Sequence, residues 1–154
     1  MERSARLRLG LTALALGALY FYLLLYLIGW TSWHHWPSWW YGAFPSRHSA
    51  GVAWIIILHT AGVLSAAVPV AIAAVVIMRR EAVLLAAIVG VLGSVLGLLS
   101  SIDSNVWPLF WNSHPIFVVT DPIKIIAAVP LTAWLIRRIS SRSKLSTTAM
   151  RQRA

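Results

Sequence analysis

Two aspartates are the residues of this chain whose type and position could do chemistry. The chain has four acidic residues, and Glu2 and Glu81 lie beside arginines, whereas Asp103 and Asp121 lie apart from them. A carboxylate at membrane depth is costly, and by default it indicates a functional site. Two neighbouring carboxylates do not both ionise easily, so one keeps its proton while the other acts as a base on water. Asp103 and Asp121 are therefore candidate catalytic residues of an aspartyl hydrolase.

Asp121 also has a purely structural interpretation. It could cap the helix that follows it, with Lys124 one turn further on forming a local ion pair, while Asp103 could be a solvated loop residue. The spacing of these residues leaves both interpretations open. The catalytic interpretation requires the carboxyl groups of Asp103 and Asp121 to lie close together, whereas the structural interpretation does not.

The elements that would position these residues are predicted to be membrane spans. The chain has 154 residues, of which 59% are hydrophobic and only 11% charged, against roughly 25% charged residues in soluble domains. Glycines 90, 93 and 97 of the third apolar run are expected to allow close helix contact. We predict an all-α membrane protein with a four-span domain at residues 1–139 and a basic, mobile tail at residues 140–154. Each span is long enough to cross a bilayer. The predicted spans are 9–30, 60–78, 82–99 and 121–136.

Most basic residues lie at one side of these predicted spans. Arginines precede the first span, Arg79 and Arg80 follow the second, and six basic residues between Arg137 and Arg153 follow the fourth. Cytoplasmic flanks collect Lys and Arg, so we expect both termini and the turn at 78–81 to be cytoplasmic. The net charge of +9 is then a topology signal, and no nucleic acid partner is expected.

Aromatic residues dominate the segment between the first two spans. Five of the nine tryptophans fall between residues 30 and 40, a density typical of the headgroup layer. We expect an outer-face aromatic loop or a small β platform there. Arg47 and His48, which follow it, are candidate contacts for lipid phosphates.

Several short stretches, taken in order, resemble the lipoprotein signal peptidases, also called signal peptidase II. Ser49-Ala-Gly-Val-Ala-Trp54 is similar to the family's Asn-x-Gly-Ala-Ala-Phe segment, and Gly90-Val-Leu-Gly-Ser94 to its Gly-rich stretch. Asp103 falls where the family has its first catalytic aspartate. Phe117-Val-Val-Thr-Asp121 resembles the Phe-Asn-x-Ala-Asp motif that holds the second.

This resemblance implies an enzyme of the bacterial cytoplasmic membrane, crossing it four times. Its reaction would be hydrolysis of a peptide bond, removing the signal peptide from a lipid-modified lipoprotein precursor without a metal or other cofactor. Its partners would be that precursor and the membrane lipids. Asp103 and Asp121 would be catalytic, and the substrate-binding residues would be Arg47, Ser49, Gly51 and Lys124.

Departures from the family pattern favour a second hypothesis. Ser49, Ser94 and Val118 stand where the family has asparagine, and the first span has no Asp or Lys. A non-catalytic relative would act as a membrane subunit or a lipoprotein-binding protein, with a membrane protein as partner. The two retained aspartates favour the enzyme.

A histidine motif supports a third, weaker hypothesis. Pro45-Ser-Arg-His48 resembles the Pro-Ser-Gly-His core of membrane phosphatidic acid phosphatases, with Arg47 in place of glycine. Five histidines could in principle bind a metal on the outer face: His34, His35, His48, His59 and His114. Adjacent histidines on an aromatic loop are more often interfacial polar residues, and no spacing here resembles a zinc site, so no metal site is predicted.

Overall fold

Four long α-helices account for most of the chain in this computed structural model, which describes residues 3–32, 38–102 and 115–151. Each helix contains a stretch long and apolar enough to cross a membrane. The chain is therefore a multi-pass membrane protein, and the predicted all-α, four-helix fold is confirmed. The helices are α1 Arg3–Ser32, α2 Arg47–Ile77, α3 Ala82–Ile102 and α4 Pro115–Arg151.

The helices surround a common core in the circular order α1, α2, α4, α3, with α2 also touching α3 across the middle. The two ends of the bundle differ in composition, and we name them by their side chains. The aromatic end carries Trp39, Trp40 and Trp54. The basic end carries Arg8, Arg79, Arg80, Arg137 and Arg138.

Small residues fill much of the core. They allow the helix backbones to approach closely, as in other membrane proteins. Bulky residues on α2 instead lie on an exposed face at four-residue intervals, where lipid would cover them: Leu64, Val68, Ile72 and Val76. The buried small residues include Ala66, Ala67, Ala71, Ala74, Ala86, Ala128 and Ala133.

The closest contact between α3 and α4 occurs at Gly90. A Cβ atom placed on Gly90 would collide with the backbone carbonyl of Ile126, so a larger residue would push the helices apart. Pro130 lacks the N–H that would bond this carbonyl in a regular helix. The carbonyl of Ile126, which has no hydrogen bond from Pro130, therefore faces Gly90, where the missing side chain leaves space for it.

Tyr20 joins α1 to the same region of the core. Its side chain is fully buried, lies against Gly93 and donates a hydrogen bond to the carbonyl of Ile125 at 3.1 Å. The packing role predicted for Gly90 and Gly93 is thus confirmed, whereas a Cβ on Gly97 would meet nothing within 4 Å.

Helix α2 begins well before the predicted start at residue 60, so that boundary was wrong. Ser46 is its N-cap, and Ser46 and Ser49 form a capping box in which each side chain bonds the other's backbone N–H. With 31 residues the helix is about 46 Å long, against about 30 Å for a bilayer's hydrocarbon core. Its first turns therefore extend beyond the hydrocarbon region.

The described part of the aromatic segment is a short 3₁₀ helix, Ser38–Ala43. No strand occurs in the described ranges, so within them the predicted aromatic loop is observed and the β platform is not. Trp40 fastens this segment to α2. Its indole N–H donates to the carbonyl of Ala50 at 2.8 Å, and its ring lies 5.1 Å from that of Trp54 and 4.9 Å from that of Phe44.

Helix α4 also begins earlier than predicted. Pro115 takes the first position, where a missing N–H removes no hydrogen bond, so the predicted start of the fourth span at residue 121 was wrong as a helix boundary. The helix continues to Arg151 and so includes most of the predicted tail. The mobility of that tail stays a prediction.

Candidate functional site

Asp121 is the centre of a cluster of ionisable side chains near the aromatic end. Its Oδ1 atom lies 3.1 Å from Nζ of Lys124, which donates a hydrogen bond to it. The same oxygen lies 3.3 Å from Nδ1 of His59. The three side chains are only 14%, 25% and 19% exposed, respectively. The ion pair predicted between Asp121 and Lys124 is confirmed.

Helix geometry explains why these residues meet. Lys124 lies three residues after Asp121, so both side chains fall on one face of α4. His59 comes from α2, which packs beside α4. The cluster therefore joins two helices, whereas the sequence predicted only the contact between Asp121 and Lys124 within α4.

His59 was not predicted to belong to this site. Its signal in the sequence was an ionisable residue within the apolar part of α2, a feature that indicates function by default. Its Nδ1 atom lies within ion-pair distance of Asp121. This buried nitrogen has no hydrogen-bond partner within the described residues. Such an atom requires an explanation, because buried polar atoms are nearly always hydrogen-bonded.

The two oxygens of Asp121 differ in their surroundings. The Lys124 ammonium group and the His59 imidazole both contact Oδ1. Within the described ranges, no side chain or backbone group bonds Oδ2. A carboxylate held through one oxygen can accept a proton or a hydrogen bond through the other.

The cluster lies near one boundary of the membrane. Eighteen residues separate His59 from Ile77, the last residue of α2, which corresponds to about 27 Å along the helix. This span nearly equals the roughly 30 Å of a hydrocarbon core. Asp121 is the third residue of the apolar stretch Val119–Ser141 of α4, so this mostly buried carboxylate lies near one end of that stretch.

Asp103 lies outside the described residues, so its meeting with Asp121 stays a prediction. It directly follows Ile102, the last residue of α3. Starting from the contact of Gly90 with Ile126, helix geometry puts the end of α3 about 10 Å beyond the level of Asp121. The two carboxyl groups can meet only if the chain after Ile102 turns back toward the bundle.

The predicted substrate-binding residues on α2 lie further from the bilayer centre than Asp121. Arg47 is exposed in the first turn of α2, about 18 Å along the helix from His59. Ser49 uses its hydroxyl in the capping box, and Gly51 is buried. Only Lys124, of the four predicted substrate-binding residues, directly contacts Asp121.

His48, the central residue of the phosphatase hypothesis, is also remote from the cluster. It lies in the first turn of α2, about 16 Å along the helix from His59. A mechanism with one histidine as nucleophile and another as acid needs the two rings to face one substrate. His48 and His59 do not share a level of the bundle.

The aromatic end provides a further feature of the site. Trp54 has a buried indole nitrogen that finds no hydrogen-bond partner in the described part of the chain. Together with Trp39 and Trp40 it forms a chain of edge-to-face ring contacts. Amphipathic rings of this kind suit the headgroup layer.

Comparisons of the chain with models of protein families, with curated proteins and with solved structures find no match.

Proposed function

We propose that this protein is a membrane-embedded aspartyl endopeptidase. Its substrate is the precursor of a lipid-modified bacterial lipoprotein, from which it removes the signal peptide. Asp121 is the catalytic base, and Asp103 is its proposed partner, with His59 as the alternative. The single observation that carries the proposal is the placement of Asp121, a mostly buried carboxylate at the membrane boundary whose Oδ2 atom has no described partner.

The proposed step uses the asymmetry of this carboxylate. Lys124 and His59 lie against Oδ1. Oδ2 removes a proton from a water molecule as the water oxygen attacks the scissile carbonyl carbon. The C–N bond then breaks, and the leaving nitrogen takes up a proton. The products are a free carboxyl group and a free amine.

A second group must supply the proton for that step. Asp103 takes this role if the chain beyond Ile102 turns back by the roughly 10 Å that helix geometry requires. His59 is the alternative, because its imidazole already lies 3.3 Å from Asp121 and histidine is the commonest general acid or base in catalysis. The two assignments predict different effects of substitution.

The orientation of the bundle supports access to such a substrate. The basic end contains many more arginines than the aromatic end, which favours a cytoplasmic location for the former and for both termini. In the bacterial cytoplasmic membrane, Asp121 would then lie near the outer surface. A lipid-modified precursor has its cleavage site at that surface.

The test is cleavage of a lipid-modified lipoprotein precursor by the full-length protein reconstituted in bilayers. We expect the wild type to cleave and Asp121→Asn to be slower by a factor of about 10² to 10⁴, the usual contribution of a positioned acid or base. Glu81→Gln is the matched control, because it removes a carboxylate from the basic end. Its activity should equal that of the wild type.

Two further variants identify the group that supplies the proton to the leaving nitrogen. Loss of cleavage in Asp103→Asn, with activity retained in His59→Gln, assigns the role to Asp103, and the reverse pattern assigns it to His59. Circular dichroism and thermal unfolding in detergent would show that each variant is folded. Failure of the wild type, under conditions in which an authentic lipoprotein signal peptidase cleaves the same precursor, would contradict the proposal.

A non-catalytic membrane subunit is the second candidate function. It is favoured by the joining of α2 to α4 through His59 and Asp121, since such a cluster can hold helices together without doing chemistry. This candidate predicts that Asp121→Asn lowers stability and that the wild type binds the lipid-modified precursor without cleaving it. The same reconstituted protein can be used for a precursor pull-down.

A further inference from the structure

The basic end contains an open cleft between the α2–α3 turn and the end of α4. Its volume is about 750 Å³. Three guanidinium groups line it, from Arg79, Arg137 and Arg138, and no acidic residue belongs to its described lining. Uncompensated positive charge in a cleft favours an anionic ligand.

The arginines of this cleft are held by specific contacts. Arg138 lies over the ring of Trp134, with its Cζ atom 5.0 Å from the ring centroid. Arg137 reaches from α4 to the carbonyl of Arg80, at the long hydrogen-bond distance of 3.5 Å. Stacking on an aromatic ring leaves the edge of a guanidinium group free to bind a phosphate through two N–H groups.

The remaining walls are apolar. Val75, Val76 and Val83 line the cleft together with Trp134, and the side chain of Val76 is 68% exposed. A free phosphate ion gains nothing from such walls, whereas a phospholipid can place its acyl chain along them. Because the cleft lies at the end of membrane-spanning helices, a lipid headgroup reaches it directly.

We propose that this cleft is a binding site for an anionic phospholipid, whose phosphate is held by Arg79, Arg137 and Arg138. Three arginines without a carboxylate favour a lipid with net negative charge over a zwitterionic one. This site lies at the opposite end of the bundle from Asp121, and the proposal does not depend on the protein's being a peptidase.

The test is lipid retention by the full-length protein in detergent, measured by native mass spectrometry. The protein is incubated with equal amounts of phosphatidylglycerol and phosphatidylcholine of the same acyl chains. We expect preferential retention of phosphatidylglycerol, with affinity reduced about fivefold for each arginine removed. Arg138→Gln should therefore show about a fivefold loss, and the double variant Arg79→Gln, Arg138→Gln about a 25-fold loss.

Arg6→Gln is the matched control. Arg6 is exposed near the basic end but does not line the cleft, so its removal should leave retention unchanged. Equal losses of phosphatidylglycerol retention in Arg6→Gln and Arg138→Gln would show that the lipid is attracted by the overall positive charge of the basic end and not by the cleft, and would overturn the proposal. Equal retention of both lipids by the wild type, or unchanged retention in the double variant, would also overturn it.

Inorganic phosphate distinguishes a lipid site from a simple anion site. Because the apolar walls hold the acyl chain, millimolar phosphate should fail to displace phosphatidylglycerol from the wild type. Displacement at such concentrations would show that the cleft binds free anions, and it would overturn the lipid assignment.

The variant Arg138→Lys keeps the positive charge but removes the planar guanidinium group. We expect its retention of phosphatidylglycerol to lie between those of the wild type and Arg138→Gln.

Discussion

At the scale of single residues, Asp121 has more than one partner, and this changes how its chemistry is understood. The sequence predicted Lys124 as a neighbour because a three-residue separation on a helix brings two side chains together. It did not predict His59, which lies 62 residues away along the chain. Within the described residues, the site thus consists of a carboxylate, an ammonium group and an imidazole, and the pairing with Asp103 stays a prediction.

Substitution of Lys124 tests how much this ion pair contributes to stability. Lys124→Met leaves the mostly buried carboxylate of Asp121 without its ammonium partner. Exposed pairs contribute at most about 1 kcal/mol and broken buried pairs cost about 3–5 kcal/mol. Since this pair is partly buried, we expect a loss of about 1–2 kcal/mol, measured by thermal or denaturant unfolding in detergent. Lys124→Arg keeps the charge and should lose less, so equal losses in the two variants would contradict an ionic contribution.

At the scale of helices, α3 and α4 are held at a distance that only a glycine allows. The carbonyl of Ile126 occupies the space where a side chain on Gly90 would be. Pro130, four residues after Ile126, frees that carbonyl from its usual hydrogen bond. The glycine and the proline, which stand far apart in the sequence, are therefore parts of one contact.

Gly90→Ala should destabilise the bundle by about 1–3 kcal/mol, the usual cost of forcing an extra carbon into a packed core. The matched control is Gly97→Ala, two turns further along α3, where an added Cβ would meet nothing within 4 Å. We expect its stability to stay within about 0.5 kcal/mol of the wild type. Thermal unfolding of the two variants in the same detergent makes the comparison. Similar losses in both would contradict a role for the Ile126 contact, because alanine favours a helix more than glycine does and helix propensity alone would give no loss.

Helix boundaries were the part of the elements that hydropathy predicted least well. The aromatic segment between the first two spans was expected to be a loop or a small β platform, and α2 was expected to begin near residue 60. Instead, Ser46 and Ser49 form a capping box, and α2 continues outward beyond the apolar stretch. Hydropathy reports where a helix meets lipid, whereas caps determine where the helix begins.

At the scale of the whole molecule, four crossings put the N- and C-termini of the chain on the same side of the membrane. The absence of cysteine makes this simple to test with single-cysteine variants. Ser4, Gly42 and Ser141 are exposed, and a Cβ on Gly42 meets nothing within 4 Å. In spheroplasts, a membrane-impermeant maleimide should label Gly42→Cys, but label Ser4→Cys and Ser141→Cys only after permeabilisation. Labelling of Ser4→Cys and Ser141→Cys from opposite sides would contradict four crossings.

The sequence alone determined the class of protein, the number of spans and the local pairing of Asp121 with Lys124. Each of these depends on composition or on neighbours along one helix: apolar runs of sufficient length favour lipid, and a three-residue separation brings side chains together. The tertiary structure decided which residues of different helices meet. The contact of His59 with Asp121, the fit of Gly90 to Ile126 and the cleft at Arg79 depend on how each helix is rotated and shifted against its neighbours. Those rotations arise from the packing of small residues between helices, and hydropathy does not depend on them.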